Sequence, residues 1–159
     1  MPNIDINVID FDPNDQMSMI ARTTYPDHIL ASSVWSMVDG IKNRLGLTGS
    51  STAVPTLMGR LRIIGHGEPG LQAIGNSHDT QNTRQFIGLD RHGHLYNRHV
   101  LSELRGYFAP NARAELHGCN VGLHGERLRL ALERLWGVRV FSSAAAQYSD
   151  TPGFDYLQS

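Results

Sequence analysis

Hydrophobic and polar positions alternate over residues 3–10, where the apolar side chains are Ile4, Ile6 and Val8. This two-residue period is typical of a half-buried β-strand. Shorter apolar runs at 60–64 and 138–141, and a run from residue 112 up to the cysteine at 119, predict three further strands. The residues around 85–89 and 94–96 flank a Gly-containing turn and predict a hairpin.

A helical period separates these strands. Apolar residues recur on one stripe from Asp27, a candidate N-cap, to about Leu45, again from Asn97 to Phe108, and again from Glu126 to Trp136. Three stretches without a period predict turns and loops, at residues 11–24, 47–59 and 68–83. Strands that alternate with helices favour an α/β fold with a mainly parallel sheet.

Composition narrows the class of protein. The chain has 159 residues, of which 40% are hydrophobic and 18% charged, so we expect one globular domain over 1–159 with a polar tail over 144–159. The net charge of −1 gives no reason to expect a nucleic-acid partner. No apolar run approaches the roughly 20 residues of a membrane span. The first eleven residues do not resemble a Sec signal peptide, which predicts a cytoplasmic protein or delivery by a specialised secretion system.

Two strand ends carry the candidate chemistry. The strand over 60–64 runs into Gly65-His66-Gly67, and the strand from 112 runs into Gly118-Cys119, which holds the only cysteine of the chain. In a parallel sheet both ends open onto one edge, where ligands bind in open α/β folds. The pattern therefore predicts an imidazole beside a thiol, as in cysteine hydrolases.

The chemistry of such a pair explains the residue types around it. A thiol attacks a carbonyl only as the thiolate, which a nearby imidazole and the start of the following helix would stabilise. The glycines let a substrate backbone approach closely. The backbone amides of Gly67 and Cys119 are candidate donors to an oxyanion, and one such donor contributes on the order of 3 kcal/mol to lowering the barrier.

At this point the sequence resembles clan CD of the cysteine peptidases, which includes caspases, gingipains, clostripain and the self-processing domains of bacterial toxins. The likeness covers about residues 61–143 and is carried by His66-Gly67-Glu68-Pro69-Gly70 and by Gly118-Cys119-Asn120-Val121. Cys119 follows His66 by 53 positions, close to the spacing of about 50 in caspases. The pattern is most similar to an uncharacterised caspase-like domain of large bacterial surface proteins.

The resemblance implies a caspase-like α/β/α sandwich and a cysteine endopeptidase that uses a His-Cys dyad without metal or cofactor. Cys119 matches the nucleophile of the clan, His66 its general acid/base, and the Gly67 and Cys119 amides its oxyanion hole. It implies a protein or peptide substrate, a segment of the chain itself included, and a setting as a bacterial effector, toxin protease or self-processing domain. Caspases have Gln-Ala before the cysteine, whereas this chain has His117-Gly118, which leaves the preferred substrate residue open.

Three further residues are weaker candidates for substrate binding. Ser142 and Ser143 end the last predicted strand, at an edge that helps to shape the substrate pocket in the clan. His117 lies two residues before Cys119 and therefore on the same face of its strand, where it either tunes the thiol or packs beneath it; the second alternative is favoured.

Two other classes of function stay open. One is a catalytically silent caspase-like module that binds or scaffolds a partner. The other is a metal-binding domain, because His92-x-His94 and His117-x-Cys119 each offer two potential ligands. The single cysteine and the absence of zinc-finger spacing argue against a metal, and none is assigned.

Overall fold

The computed structural model describes residues 3–12, 15–47, 54, 56–75 and 82–143; the predicted tail over 144–159 lies outside them. The strands are β1 (Ile4–Asp10), β2 (Ile29–Ala31), β3 (Met58–Ile64), β4 (Gly67–Glu68), β5 (Leu71–Ala73), β6 (Phe86–Ile87), β7 (Phe108–Leu116) and β8 (Arg139–Ser142). The α-helices are α1 (Gln16–Thr24), α2 (Val34–Arg44), α3 (Arg98–Leu101) and α4 (Glu126–Trp136), and single 3-10 turns lie at Thr83–Gln85 and Ser102–Leu104.

Five strands form one parallel sheet in the order β2-β1-β3-β7-β8. The predicted α/β fold with a mainly parallel sheet is therefore confirmed, and helices flank the sheet as in an α/β sandwich. A separate three-stranded antiparallel sheet, β4-β5-β6, follows the end of β3. From β1, the chain adds β2 on one side of the sheet and β3, β7 and β8 on the other. Open α/β sheets with this strand order bind ligands at the point between β1 and β3, where the direction of strand addition changes.

The larger core lies on one face of the parallel sheet. It joins every second residue of β1, β3 and β7 to the apolar stripes of α2 and α4, and its fully buried members include Val8, Met37, Leu61 and Leu132. The opposite face has a small cluster in which Ile9 and Ile64 pack under α1. Burial of these stripes at about 25 cal/mol per Å² is the main force that holds the helices on the sheet.

The rest of that second face is polar, although parallel sheets usually bury both faces. Glu115 of β7 is 3% exposed, and its carboxylate lies 2.8 Å from Arg113 Nε, 3.4 Å from Arg60 Nε and 2.9 Å from His117 Nε2. Burial alone would raise the pKa of Glu115, but the hydrogen bond from His117 and the surrounding positive charges outweigh it and lower that pKa. One carboxylate therefore neutralises the centre of an arginine-rich face.

Several predicted elements differ from the structure. The loop predicted over 68–83 contains the strand β5, because Leu71–Ala73 pairs with β4 on one side and with β6 on the other. The helix predicted from Asp27 is wrong over its first turns, because residues Ile29–Ala31 form β2, whose backbone pairs with β1. Helix α2 begins later, where the Ser33 Oγ accepts from the Ser36 N–H at 3.1 Å and the Ser36 Oγ accepts from the Ser33 N–H at 3.0 Å. This reciprocal cap satisfies two amide donors that the helix itself cannot use.

The helix predicted over 97–108 ends early. Asn97 is left-handed (φ 59°) and its side chain donates to the Thr83 carbonyl at 2.7 Å instead of capping α3. Phe108 already belongs to β7, where the register shift opposite Met58 and Arg60 accommodates Pro110 and the left-handed Asn111.

The last difference is α1, which forms within the stretch predicted as irregular. Its N-cap is Asp15, whose carboxylate accepts from the Ser18 N–H at 3.1 Å. The helix α4 and the strands β1, β3 and β8 agree with the sequence pattern to within about two residues.

Replacing Glu115 by Gln should destabilise the fold by about 2 kcal/mol or more, because the surrounding cations lose their buried counter-charge. The free energy of unfolding in urea measures this loss. The matched control is Glu103→Gln, which removes a surface pair with Lys42 (3.0 Å) and should cost less than about 1 kcal/mol. Equal stability of the two variants would contradict the role given to Glu115.

Candidate active site

The two motifs meet where the neighbouring strands β3 and β7 end. Ile63 pairs with Leu116, and the His117 N–H donates to the Ile63 carbonyl at 2.8 Å. Just beyond this bond the two backbones touch: a Cβ atom added to Gly118 would lie 2.8 Å from the Gly67 Cα, and one added to Gly67 would lie 2.8 Å from the Gly118 Cα. Only glycine at both positions permits this approach. His66 precedes one of the two glycines and Cys119 follows the other, so both lie next to the same backbone contact.

Both reactive side chains are partly open to solvent. The side chain of His66 is 29% exposed, and Cys119 is half-buried rather than sealed in the core. Cys119 therefore does not belong to the fully buried core, where a free cysteine packs as a small apolar side chain.

The imidazole of His66 is held by Asp15, the N-cap of α1. Its Nε2 lies 3.0 Å from Asp15 Oδ2, the same oxygen that caps the helix. An ionised carboxylate can only accept, so the Nε2 atom of His66 is the donor in this bond.

A second carboxylate, Asp10 at the end of β1, lies beneath this pair. It is 4% exposed, and one of its oxygens accepts from the Gly75 N–H. Burial raises the pKa of Asp10 to about 7, against the opposing effects of that hydrogen bond and of the nearby His66. Its other oxygen has no hydrogen-bond partner among the described residues.

Asp10 also borders a small cavity of about 10 Å³, a space close to that of a single water molecule. The polar side chains around it are Asp15, Ser18 and His117, and Gly65 closes it from the β3 side. Ile9, Ala21 and Ile64, the apolar cluster under α1, complete the lining, so the cavity has a polar and an apolar wall.

The hairpin of β4 and β5 links the two strand ends. A tight turn at Pro69-Gly70 (Gly70 φ 73°) joins its strands, and the Gly70 N–H donates to the Val121 carbonyl at 3.1 Å. Gln72 of β5 is fully buried, accepts from the Gly118 N–H at 2.7 Å and donates to the His66 carbonyl at 3.3 Å. The hairpin thus contacts both the histidine and the cysteine segment.

The backbone N–H groups of Gly118 and Gly67 differ in their hydrogen bonds. The Gly118 N–H is used by Gln72. Gly67 faces Gln72 across the hairpin, while the neighbouring Ala73 N–H donates to the His66 carbonyl at 3.0 Å. Hydrogen-bonded and non-bonded pairs alternate along antiparallel strands, so Gly67 belongs to a non-bonded pair and its N–H is not used by β5. Gly67 and Cys119 stay the predicted oxyanion donors.

His117 lies under the site and is 2% exposed. Its Nε2 lies 2.9 Å from the Glu115 carboxylate, and burial lowers the pKa of the ring in spite of that bond. This burial fits packing beneath the thiol, the favoured alternative, and not direct contact with a substrate.

Ser142 and Ser143 are also buried, at 0% and 9% exposure. The Ser143 carbonyl accepts from the Gly122 N–H at 2.8 Å, and a Cβ atom added to Gly122 would lie 3.0 Å from the Ser142 Oγ. The end of β8 therefore braces the loop that follows Cys119, and its part in a substrate pocket stays a prediction.

The histidines do not assemble into a metal centre in the part of the chain that the structure describes. No three His, Cys, Asp or Glu side chains there converge on a common point. His92 and His94 lie at a turn with ring centroids 6.4 Å apart, whereas His117 is bonded to Glu115.

Sequence reasoning missed three residues of the site: Asp10, Asp15 and Gln72. Asp10 ends a predicted strand and Asp15 precedes a helical turn, so strand-end and N-cap rules would have flagged both. Gln72 had only an indirect signal, the Pro69-Gly70 turn, which is typical of a hairpin.

Comparisons with protein-family models, with curated proteins and with solved structures found no match to this chain. The likeness to clan CD therefore rests on its two motifs, their order and their spacing. None of the helices within the described residues has the length and apolar character that crossing a membrane would require.

Replacing Asp10 by Asn should change how stability depends on pH. Because the pKa of Asp10 is raised to about 7, the folded state retains a proton that the unfolded chain releases near pH 4, and wild-type stability falls as pH rises from about 4 to 7. Above pH 7 the variant should be the more stable by as much as about 4 kcal/mol, at roughly 1.4 kcal/mol per pKa unit.

Urea unfolding of both proteins between pH 4 and 8 measures this difference. Asp39→Asn, which changes an exposed carboxylate of α2, is the control and should give no such trend. A wild-type-to-variant difference that stays constant across this range would contradict the burial of an ionisable Asp10.

Proposed function

We propose that the protein is a cysteine endopeptidase in which Cys119 and His66 act as a dyad oriented by Asp15. The proposal is supported most by the contact between Gly67 and Gly118, since it joins the residue after His66 to the residue before Cys119. The hydrogen bond from His66 to Asp15 gives the base a fixed orientation, as a third residue does in other nucleophile–base sites.

In this mechanism the Cys119 thiolate attacks the carbonyl carbon of the scissile peptide bond. The N–H groups of Gly67 and Cys119 stabilise the oxyanion that forms. The carbon–nitrogen bond then breaks, and the departing amine takes its proton from His66. Water, deprotonated by His66, hydrolyses the thioester and releases the acid product and the free thiol. Asp15 stabilises the imidazolium at both steps.

The substrate is a protein or peptide, since the chemistry is that of amide cleavage at an edge open to solvent. A site within this chain or within a longer polypeptide that contains it would make the protein a self-processing domain, and a host protein would make it an effector. Both settings use the same dyad and need no metal or organic cofactor for the chemistry.

Cleavage of a proteome-derived peptide library by the wild type and by Cys119→Ala tests the activity. Cuts that occur with the wild type alone, clustered on one type of residue, are the expected result. His66→Ala should slow the same cuts by about 10²-fold or more, as expected for the loss of a general acid/base. A library left intact by a folded wild-type protein would favour the catalytically silent binding module.

Replacing Asp15 by Asn should slow alkylation of Cys119 by iodoacetamide near pH 6 by about tenfold, because the imidazolium loses its counter-charge. The helix cap should survive, since Asn caps helices as well as Asp, so the melting temperature should stay close to that of the wild type. Asp27→Asn, which alters a surface pair with Arg44, is the control. Wild-type alkylation rates in Asp15→Asn would remove Asp15 from the mechanism.

A further inference from the structure

We infer that Gln72 is a positioning residue: its side-chain amide ties the histidine segment to the cysteine segment and thereby sets the spacing of the dyad. The inference rests on the proposed function for its catalytic meaning. The hydrogen bonds of Gln72 themselves are a feature of the fold, and their effect on backbone hydrogen exchange can be measured without any enzymatic activity.

The amide of Gln72 uses both of its ends. Its Oε1 accepts from the Gly118 N–H at 2.7 Å, and its Nε2 donates to the carbonyls of His66 at 3.3 Å and Ala73 at 3.1 Å. The partners fix which end is oxygen, because a backbone N–H needs an acceptor and the two carbonyls need a donor. One side chain therefore bonds directly to the residue before Cys119 and to His66.

Because Gln72 is buried, the loss of these hydrogen bonds would cost free energy of folding. Gln72 is 0% exposed and Gly118 is buried with it. A buried amide without partners is strongly unfavourable, and an apolar side chain at this position would leave the Gly118 N–H without its partner and the His66 carbonyl with the Ala73 N–H alone. These bonds explain why a glutamine lies between two apolar residues in the short strand β5.

The bond to Gln72 also occupies the Gly118 N–H, which therefore is not a donor to a substrate. The bond from the Gly70 N–H to the Val121 carbonyl (3.1 Å) anchors the turn of the hairpin of β4 and β5 on the loop that follows Cys119. The hairpin thus contacts the segment 118–121 at both ends, through Gln72 at Gly118 and through Gly70 at Val121.

Two variants separate the two halves of the amide. Gln72→Met has a similar shape and removes all three hydrogen bonds. Gln72→Glu keeps an acceptor for the Gly118 N–H but, when ionised, turns an oxygen toward the carbonyls of His66 and Ala73. The control is Gln85→Met, which makes the same chemical change at a glutamine that donates to the distant Ser32 carbonyl at 3.2 Å.

Backbone hydrogen exchange is the first measurement. In Gln72→Met, the amide of Gly118 and its neighbours up to Val121 should exchange about tenfold faster than in the wild type, the effect of losing one buried hydrogen bond. Gln72→Glu should show a smaller change at Gly118, since its acceptor remains. Gln85→Met should leave this segment unchanged. Wild-type exchange of the Gly118 segment in both Gln72 variants would overturn the inference.

Alkylation of Cys119 across pH 5–9 is the second measurement, made on variants that remain folded by their melting curves. In Gln72→Met the rate should fall by about tenfold toward that of His66→Ala, and the double variant should react at the rate of His66→Ala alone, because both changes act through the same interaction. Gln72→Met that melts earlier but alkylates as the wild type does would make Gln72 a structural residue only and refute the positioning role.

The two proposals fail differently. If the wild type and His66→Ala alkylate at the same rate, the proposed dyad is wrong, and the exchange measurement alone then decides whether Gln72 joins the two strand ends. If His66→Ala slows the reaction and neither Gln72 variant does, the dyad stands and the role given to Gln72 is wrong.

Discussion

The candidate site depends on how closely two backbones approach beyond the ends of β3 and β7. Parallel pairing brings Ile63 beside Leu116, and the absence of side chains at Gly67 and Gly118 lets the chains remain in contact after the pairing stops. Any side chain at either glycine would push the segments apart, since a Cβ atom would lie within 2.8 Å of the opposite backbone. This contact brings the segment that contains His66 close to the segment that contains Cys119.

Around that contact, polar bonds accompany the apolar packing of Val121. Gln72, Asp10, Asp15 and His117 lie beneath or beside the two motifs, and each bonds to backbone or to another polar group. Such a layer is less stabilising than hydrocarbon but fixes orientation, because hydrogen bonds are directional and unmade ones are costly when buried. The raised pKa of Asp10 shows the cost of placing a carboxylate there.

The sheet shows the same division on a larger scale. Its first face is a continuous apolar core under α2 and α4, which supplies most of the stabilisation. Its second face carries arginines organised by Glu115, and the apolar cluster there is confined to the end near α1 and the site. Helix α1 is short, yet it both covers Ile9 and Ile64 and supplies Asp15 to His66.

The sequence by itself determined the period-two strand at 4–10, the apolar runs that end at His66 and before Cys119, and the helix over 126–136, because each is a local pattern that one element must bury. It did not determine α1, β2, the early end of α3 or the roles of Asp15 and Gln72. Those depend on partners distant along the chain: β2 exists because it pairs with β1, and Gln72 acquires its bonds only when β5 folds between two strand ends. Periodicity reports what a segment buries, whereas long-range hydrogen bonds arise only after the strands have been brought together.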